Sequence, residues 1–232
     1  DLVFWIAKCD GAFDMIFGIY VDNLVAFDNL LLDFMGHFSQ NILSRHISNS
    51  VYVDIYRRNY LGNQESKATY WGGNPLKGKL DPIMKDILKT IAENSRTTIV
   101  ELSNKLSSDP RTIISKIKEM EKRKIILGYR ILIDLKKIRK ESFKAIVYFQ
   151  NITPGKEGSF KQYCKQNPYI CYYIRNIAEW DVELDIEIGS YEEYNKLIKD
   201  MKEKFGDIIR TIETVFISEE MKGELNIVQN ME

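Results

Sequence analysis

The sequence predicts an α+β protein, with a winged helix-turn-helix placed between a partial and a complete ferredoxin-like domain of βαββαβ order. Three observations lead there. A basic central stretch holds three short helical segments, the last two separated by only three residues. The sequence on its two sides contains the same unit twice, and the second occurrence is preceded by a further strand, helix and strand.

The totals set the frame. The 232 residues, 44% hydrophobic and 28% charged, suit a globular chain with a real core. No apolar run approaches the roughly 18 residues of a membrane span. The opening "DLVFWIAKCDG" lacks the basic start and long apolar core of a signal peptide. Three cysteines without a C-x-x-C spacing argue against a disulfide framework and fit a reducing cytoplasm. Two histidines, His37 and His46, leave little room for metal or histidine-base chemistry. The net charge of zero is unevenly spread: residues 76–141 carry 17 basic and 9 acidic side chains, while residues 1–75 carry 5 and 8. A basic centre between acidic flanks points to a polyanion-binding module.

The first element is a partial domain over residues 1–56. "LVFWIAK" (2–8) reads as a strand, 24–38 as an amphipathic helix and "SVYVDIY" (50–56) as a closing strand. Moving 13–38 along by 167 positions lays it on 180–205 without a gap. Phe13-Asp14 then meets Trp180-Asp181. Leu24, Phe27, Leu30, Leu31, Phe34 and Phe38 meet Tyr191, Tyr194, Leu197, Ile198, Met201 and Phe205. The first copy begins at its second strand, so its sheet should lack the strand that lies mid-sheet in this fold. The chain is therefore expected to be the C-terminal part of a longer protein.

Residues 57–79 are polar and rich in Gly and Asn, and they read as a linker, with Tyr70-Trp71 as an aromatic pair able to dock. The domain at 80–136 follows. Helices are expected at 81–94, 98–106 and 110–123, the first and third opened by Asp-Pro, with Ile113, Ile117 and Met120 of the third facing inward. Residues 125–134 should form a hairpin wing or a lead-in strand, bending at Gly128. In this layout the start of the third helix points away from the core. Arg111, Thr112, Ser115 and Lys116 become the readers of bases and phosphates, and Lys118, Lys122 and Lys124 supply phosphate contacts.

The complete domain occupies 137–232. Strands are expected at 142–150, 169–177, around 182–188 and at 211–218, with helices at 158–167 and 191–205. Phe160, Tyr163 and Cys164 should face inward from the first of these helices. "DVELDIEIG" puts Val182, Leu184, Ile186 and Ile188 on one face of a strand and its acids on the other.

The stretch from Leu80-Asp81 onward resembles the DNA-binding half of Lrp/AsnC (feast/famine) transcriptional regulators. The shared residues are Arg96, Arg111-Thr112-Ile113, Lys116-Ile117, Glu121 and Ile126-x-Gly128-Tyr129. The βαββαβ order after it is similar to that family's effector and oligomerisation domain, and Gly11-Ala12-Phe13-Asp14 matches its Gly-x-aromatic-Asp element. The resemblance covers essentially the whole chain and implies a tandem form such as some archaeal members have. It departs at Asp109, where Ser is usual, at Ser108, where Leu is usual, and at Ala178-Glu179, where the second copy lacks the Gly.

What the resemblance implies is a sequence-specific, cytoplasmic transcriptional regulator that binds double-stranded DNA, forms homo-oligomers and has neither cofactor nor enzymatic activity. An amino acid or related small effector would meet Gly11, Phe13 and Asp14, and Glu179, Trp180 and Asp181 in the second copy. Asp14 and Asp181 would hold a ligand amine or, equally, accept backbone N–H groups at a hairpin. Two other readings stand beside this one. Siroheme decarboxylases share a similar scaffold, and a tetrapyrrole there needs cationic side chains for its propionates and His or Arg at the chemistry. His37, however, falls within the amphipathic helix and His46 in the loop or strand after it, places where a lone His is more often structural. An assembly protein without any ligand is the third.

Overall fold

The computed structural model describes residues 2–62, 69–72 and 79–223. Parts of the linker and the last nine residues of the expected complete domain lie outside the described residues.

The complete domain has the ferredoxin-like order. Strand β5 (Glu141–Phe149), helix α5 (Pro154–Gln166), strands β6 (Ile170–Ile177) and β7 (Val182–Ile188), helix α6 (Tyr191–Phe205) and strand β8 (Ile209–Gly223) build it. Its strands lie in the order β8-β5-β7-β6, all neighbours antiparallel. Alternate residues of β5 and β7 put Phe143, Ala145, Val147, Val182, Leu184 and Ile186 under the two helices, where Phe160, Tyr194, Ile198 and Met201 complete the core. Helix α5 starts four residues before the expected 158. The signal is Thr153-Pro154: the threonine Oγ1 accepts the Lys156 N–H at 3.4 Å, and Pro154 opens the first turn.

The acids of β7 are not on a solvated face. Glu183 and Glu187 are buried, because the sheet curls over them. Lys144 of β5, only 3% exposed, sends its Nζ to Glu183 at 2.8 Å and Asp185 at 2.6 Å. Asn176 and Trp180 each donate to Glu183, at 2.9 and 3.0 Å. Burial pushes the Lys144 pKa down, but the two carboxylates outweigh it and leave the pKa raised.

The curl comes from the N-terminal residues, which add strands to both edges instead of forming a sheet of their own. Strands β1 (Val3–Gly11) and β2 (Met15–Ile19) form a hairpin whose β1 pairs with β8. Helix α1 (Leu24–Phe38) follows, and then β3 (Asn49–Ile55), which pairs with β6 at the opposite edge. The expected linker contributes a short strand, β4 (Thr69–Gly72), on the outer side of β3. The full order is β2-β1-β8-β5-β7-β6-β3-β4. In a flat sheet the outermost strands would lie about 33 Å apart, at roughly 4.8 Å per spacing. Yet Tyr20, just after β2, meets Trp71 of β4 edge to face at 5.6 Å, so the sheet curls until its two edges approach, with no ladder between β2 and β4 among the described residues. The inner face holds a second core of Ala7, Cys9, Ile146, Trp180, Val215 and Ile217.

Between β4 and β5 stand helices α2 (Pro82–Glu93), α3 (Ile99–Leu106) and α4 (Pro110–Lys122), around a core of Met84, Ile87, Leu88, Leu102, Ile113 and Met120. The expected strand at 125–134 is absent. These residues run without a ladder partner, and Leu127, Tyr129, Ile131 and Leu132 are exposed. The stretch supplies one strand's length of sequence, and the turn at Lys136–Ile138 follows where a returning strand would have to begin. Among the described residues no helix is long and apolar enough to cross a membrane, and no group of His, Cys, Asp and Glu would hold a metal ion.

Candidate nucleic-acid interface

The helix-turn-helix is fixed by its caps. Asp81 Oδ1 accepts the Met84 N–H at 2.8 Å. Thr98 and Glu101 form a reciprocal capping box at the start of α3. Ser107 ends α3 in the left-handed region, φ 48°, and the Ser103 hydroxyl donates to the Ser108 carbonyl, which closes the three-residue turn. Asp109 Oδ1 then accepts the Arg111 N–H at 2.7 Å. The carboxylate that replaces the usual Ser thus serves as the N-cap of α4.

With Ile113 and Met120 held in the core, α4 presents a stripe at spacings of three and four: Arg111, Ile114, Ser115, Lys118 and Lys122, all exposed. Thr112 is half-buried beside it, and Lys124 is exposed just beyond the helix with φ 58°. Lys116 is placed differently. Its Nζ lies 2.6 Å from Asp81 Oδ2 and 3.7 Å from Glu119, so it ties α4 to the start of α2 instead of facing outward. Asp81 caps one helix with one oxygen and binds Lys116 with the other, and its pKa is lowered by the Lys116 bond first and the Met84 N–H second. Ile114, 39% exposed, is the member of the stripe that an apolar letter conceals in the sequence. Its only sequence signal is that it falls outside the 113-117-120 spacing of the core.

The two aromatic-Asp elements, distant in sequence, meet in space. The Phe13 and Trp180 rings lie 5.6 Å apart, and His46 packs against both while facing Glu179 at 3.3 Å. Gly11 is required there: at φ 113° a Cβ would lie 2.4 Å from the Thr214 carbonyl oxygen. Asp181 is fully engaged by protein, its Oδ2 accepting the Phe149 N–H at 2.7 Å and its Oδ1 accepting from Arg175 at 3.2 Å. Asp14 is exposed, and among the described residues no hydrogen bond reaches its carboxylate. His37 turns back on its own helix, Nδ1 at 2.8 Å from the Asp33 carbonyl oxygen. All three cysteines are free and buried, and burial raises the thiols, Cys9 to about 11 and Cys164 well above its ordinary value.

Known proteins place this geometry. A family model described as winged helix-turn-helix DNA-binding matches residues 80–126. The HTH-type transcriptional regulator PH1013 of Pyrococcus horikoshii is 27% identical over 153 residues, covering 62% of this chain and 91% of that protein. Regulator PF0054 of Pyrococcus furiosus is 34% identical over 55 residues, 24% of this chain and 36% of its own. Among solved structures, the transcriptional regulator NMB0573 of Neisseria meningitidis in complex with L-Met superposes with a TM-score of 0.60 at 19% identity, over 66% of this chain and 98% of that one. LrpC of B. subtilis gives 0.53 at 24%, over 62% and 99%. The AsnC family regulator of Agrobacterium tumefaciens gives 0.56 at 20%, over 62% and 93%. Motif, relatives and fold agree: residues 80–126 match a winged helix-turn-helix DNA-binding unit, and the chain is similar to HTH-type transcriptional regulators and shares the fold of regulators of the Lrp/AsnC type.

Proposed function

We propose that the chain is a cytoplasmic, sequence-specific transcriptional regulator whose α4 enters the major groove of double-stranded DNA. The observation that carries this is the outward stripe Arg111, Ile114, Ser115, Lys118 and Lys122 on a helix whose opposite side is locked into a core. Arg111, Thr112 and Ser115 read base edges near the helix start, with Ile114 beside them to meet a thymine methyl. Lys118, Lys122 and Lys124 hold phosphates, while Lys116 acts through Asp81 as a brace. The helix-turn-helix of residues 80–126 covers one half-site, so a two-fold operator calls for a second such unit, supplied in this reading by a homo-oligomer. The reading is non-catalytic. It gives the sheet domain an amino acid or related effector near the Phe13 and Trp180 turns, supported by the L-Met complex of the Neisseria regulator on this fold.

The test is fluorescence anisotropy on an operator obtained by selection from random duplexes. The log–log slope of affinity against salt should be steep, about 0.9 per neutralised phosphate. Lys118→Ala should reduce it by about one, and Arg111→Ala should cost about 1–3 kcal/mol on the selected site. Lys116→Ala should leave the slope unchanged. Binding that ignores salt overturns the proposal.

A further inference from the structure

The two repeat copies are built into one sheet by exchange. Each copy's fourth strand pairs with the other's second: β8 with β1, and β3 with β6. The complete copy closes the exchange with its first strand, β5, which pairs with β8 on one side and β7 on the other. By the same symmetry, the matching position in the partial copy lies between β3 and β2. There the structure has β4, four residues that pair with β3 alone over Tyr52–Ile55. The outer edge of β2 carries no ladder among the described residues.

Helix α1 has the corresponding deficit. Phe27, Leu30, Leu31 and Phe34 are the counterparts of Tyr194, Leu197, Ile198 and Met201, which are buried in α6, but no residue of α1 is buried. Leu24 and Leu32 are 73% and 63% exposed. The complete copy identifies the missing partners. Tyr194 stacks on Phe143 of β5 with ring centroids 4.4 Å apart, and Phe205, counterpart of Phe38, meets Phe160 of α5 at 5.2 Å. A third, polar observation agrees. Asp181 accepts the N–H of Phe149, the last residue of β5. Asp14, its counterpart, has no such donor among the described residues.

We infer that the β2–β3 gap and the outward face of α1 form a docking slot for a strand–helix unit like residues 141–166, supplied by polypeptide joined ahead of Asp1. Its strand pairs with both β2 and β3 and displaces β4. Its helix covers α1, and the N–H at the end of its strand reaches Asp14. The source follows from register: β6 starts at Ile170, four residues after α5 ends, and the 167-residue offset puts that start at Val3, where β1 begins. The unit's helix therefore finishes at the entrance of β1.

The experiment duplicates residues 141–167 directly ahead of Asp1, which preserves the offset, and compares hydrogen exchange with the original chain. Exchange should slow at least about tenfold at the β2 amides of Phe17 and Ile19 and speed up at Tyr70 and Trp71 of β4. Trp71→Ala should lower the urea midpoint of the original chain and lose that effect in the extended one. A version with a Gly/Ser spacer ahead of Leu2 gives the same readouts if the direct junction prevents folding. Unchanged exchange in β2 and β4 in both versions overturns the inference. So does protection of β2 in the original chain that rises with protein concentration, since a second copy would then be the occupant.

Discussion

Helices α1 and α6 are the same sequence pattern in two settings. Both have an apolar stripe at matching positions, both are fifteen residues long, and each is N-capped by a polar side chain, Asn23 or Ser190. Helix α6 buries its stripe against β5 and α5, whereas α1 leaves its own half-covered on β2, where Phe34 meets Phe17 at 5.7 Å. Pattern therefore decides that a helix forms and which face is apolar. Burial depends on which other elements are present.

The largest effect should come from a residue for which the partial copy has no counterpart. Lys144→Met strands Glu183 and Asp185 in the closed interior and should cost about 3–5 kcal/mol in urea unfolding. Next come the matched pairs. Met201→Ala should cost about 2–5 kcal/mol and Phe34→Ala under about 1 kcal/mol. Equal costs would mean that α1 is as well packed as α6 and would break the comparison. Asp181→Asn weakens charge-assisted bonds to Phe149 and Arg175 and should cost about 1.5–3 kcal/mol, while Asp14→Asn should be close to silent.

The smallest effect is in pH. Arg58 meets Glu187 of β7 through two 2.7 Å bonds. Burial pushes the Glu187 pKa up, but Arg58 and Tyr60 outweigh it and leave it below the ordinary carboxylate range. A lowered folded pKa means a contribution that is present above the unfolded value and lost as pH falls through the folded one. Arg58→Met should flatten the acid side of the stability–pH curve, measured by urea midpoint, by removing this share.

Much of this was legible beforehand. The repeat, the helix-turn-helix and the order of elements followed from spacing and from Asp-Pro openings, which depend only on neighbours in sequence. The Thr153-Pro154 start of α5 is equally local, but Gly155 and Gly158 in its first turns weaken the helical pattern there. Three features depended on distant partners. Alternation puts the acids of β7 on a face of their own without saying what covers that face. Lys116 looked free because Asp81 lies 35 positions away. The strands of residues 1–56 looked like half of a separate sheet because nothing in their own sequence names β8 and β6 as neighbours.

The exchange of strands between the copies has a consequence for how the molecule responds to dilution. When two separate polypeptides build a sheet, its integrity follows their concentration by mass action. Here both contributors share one backbone, so the sheet should persist in a cell that holds only a few molecules. Any association needed for a two-fold operator must use other surfaces, and abundance can then tune operator occupancy without taking the scaffold apart.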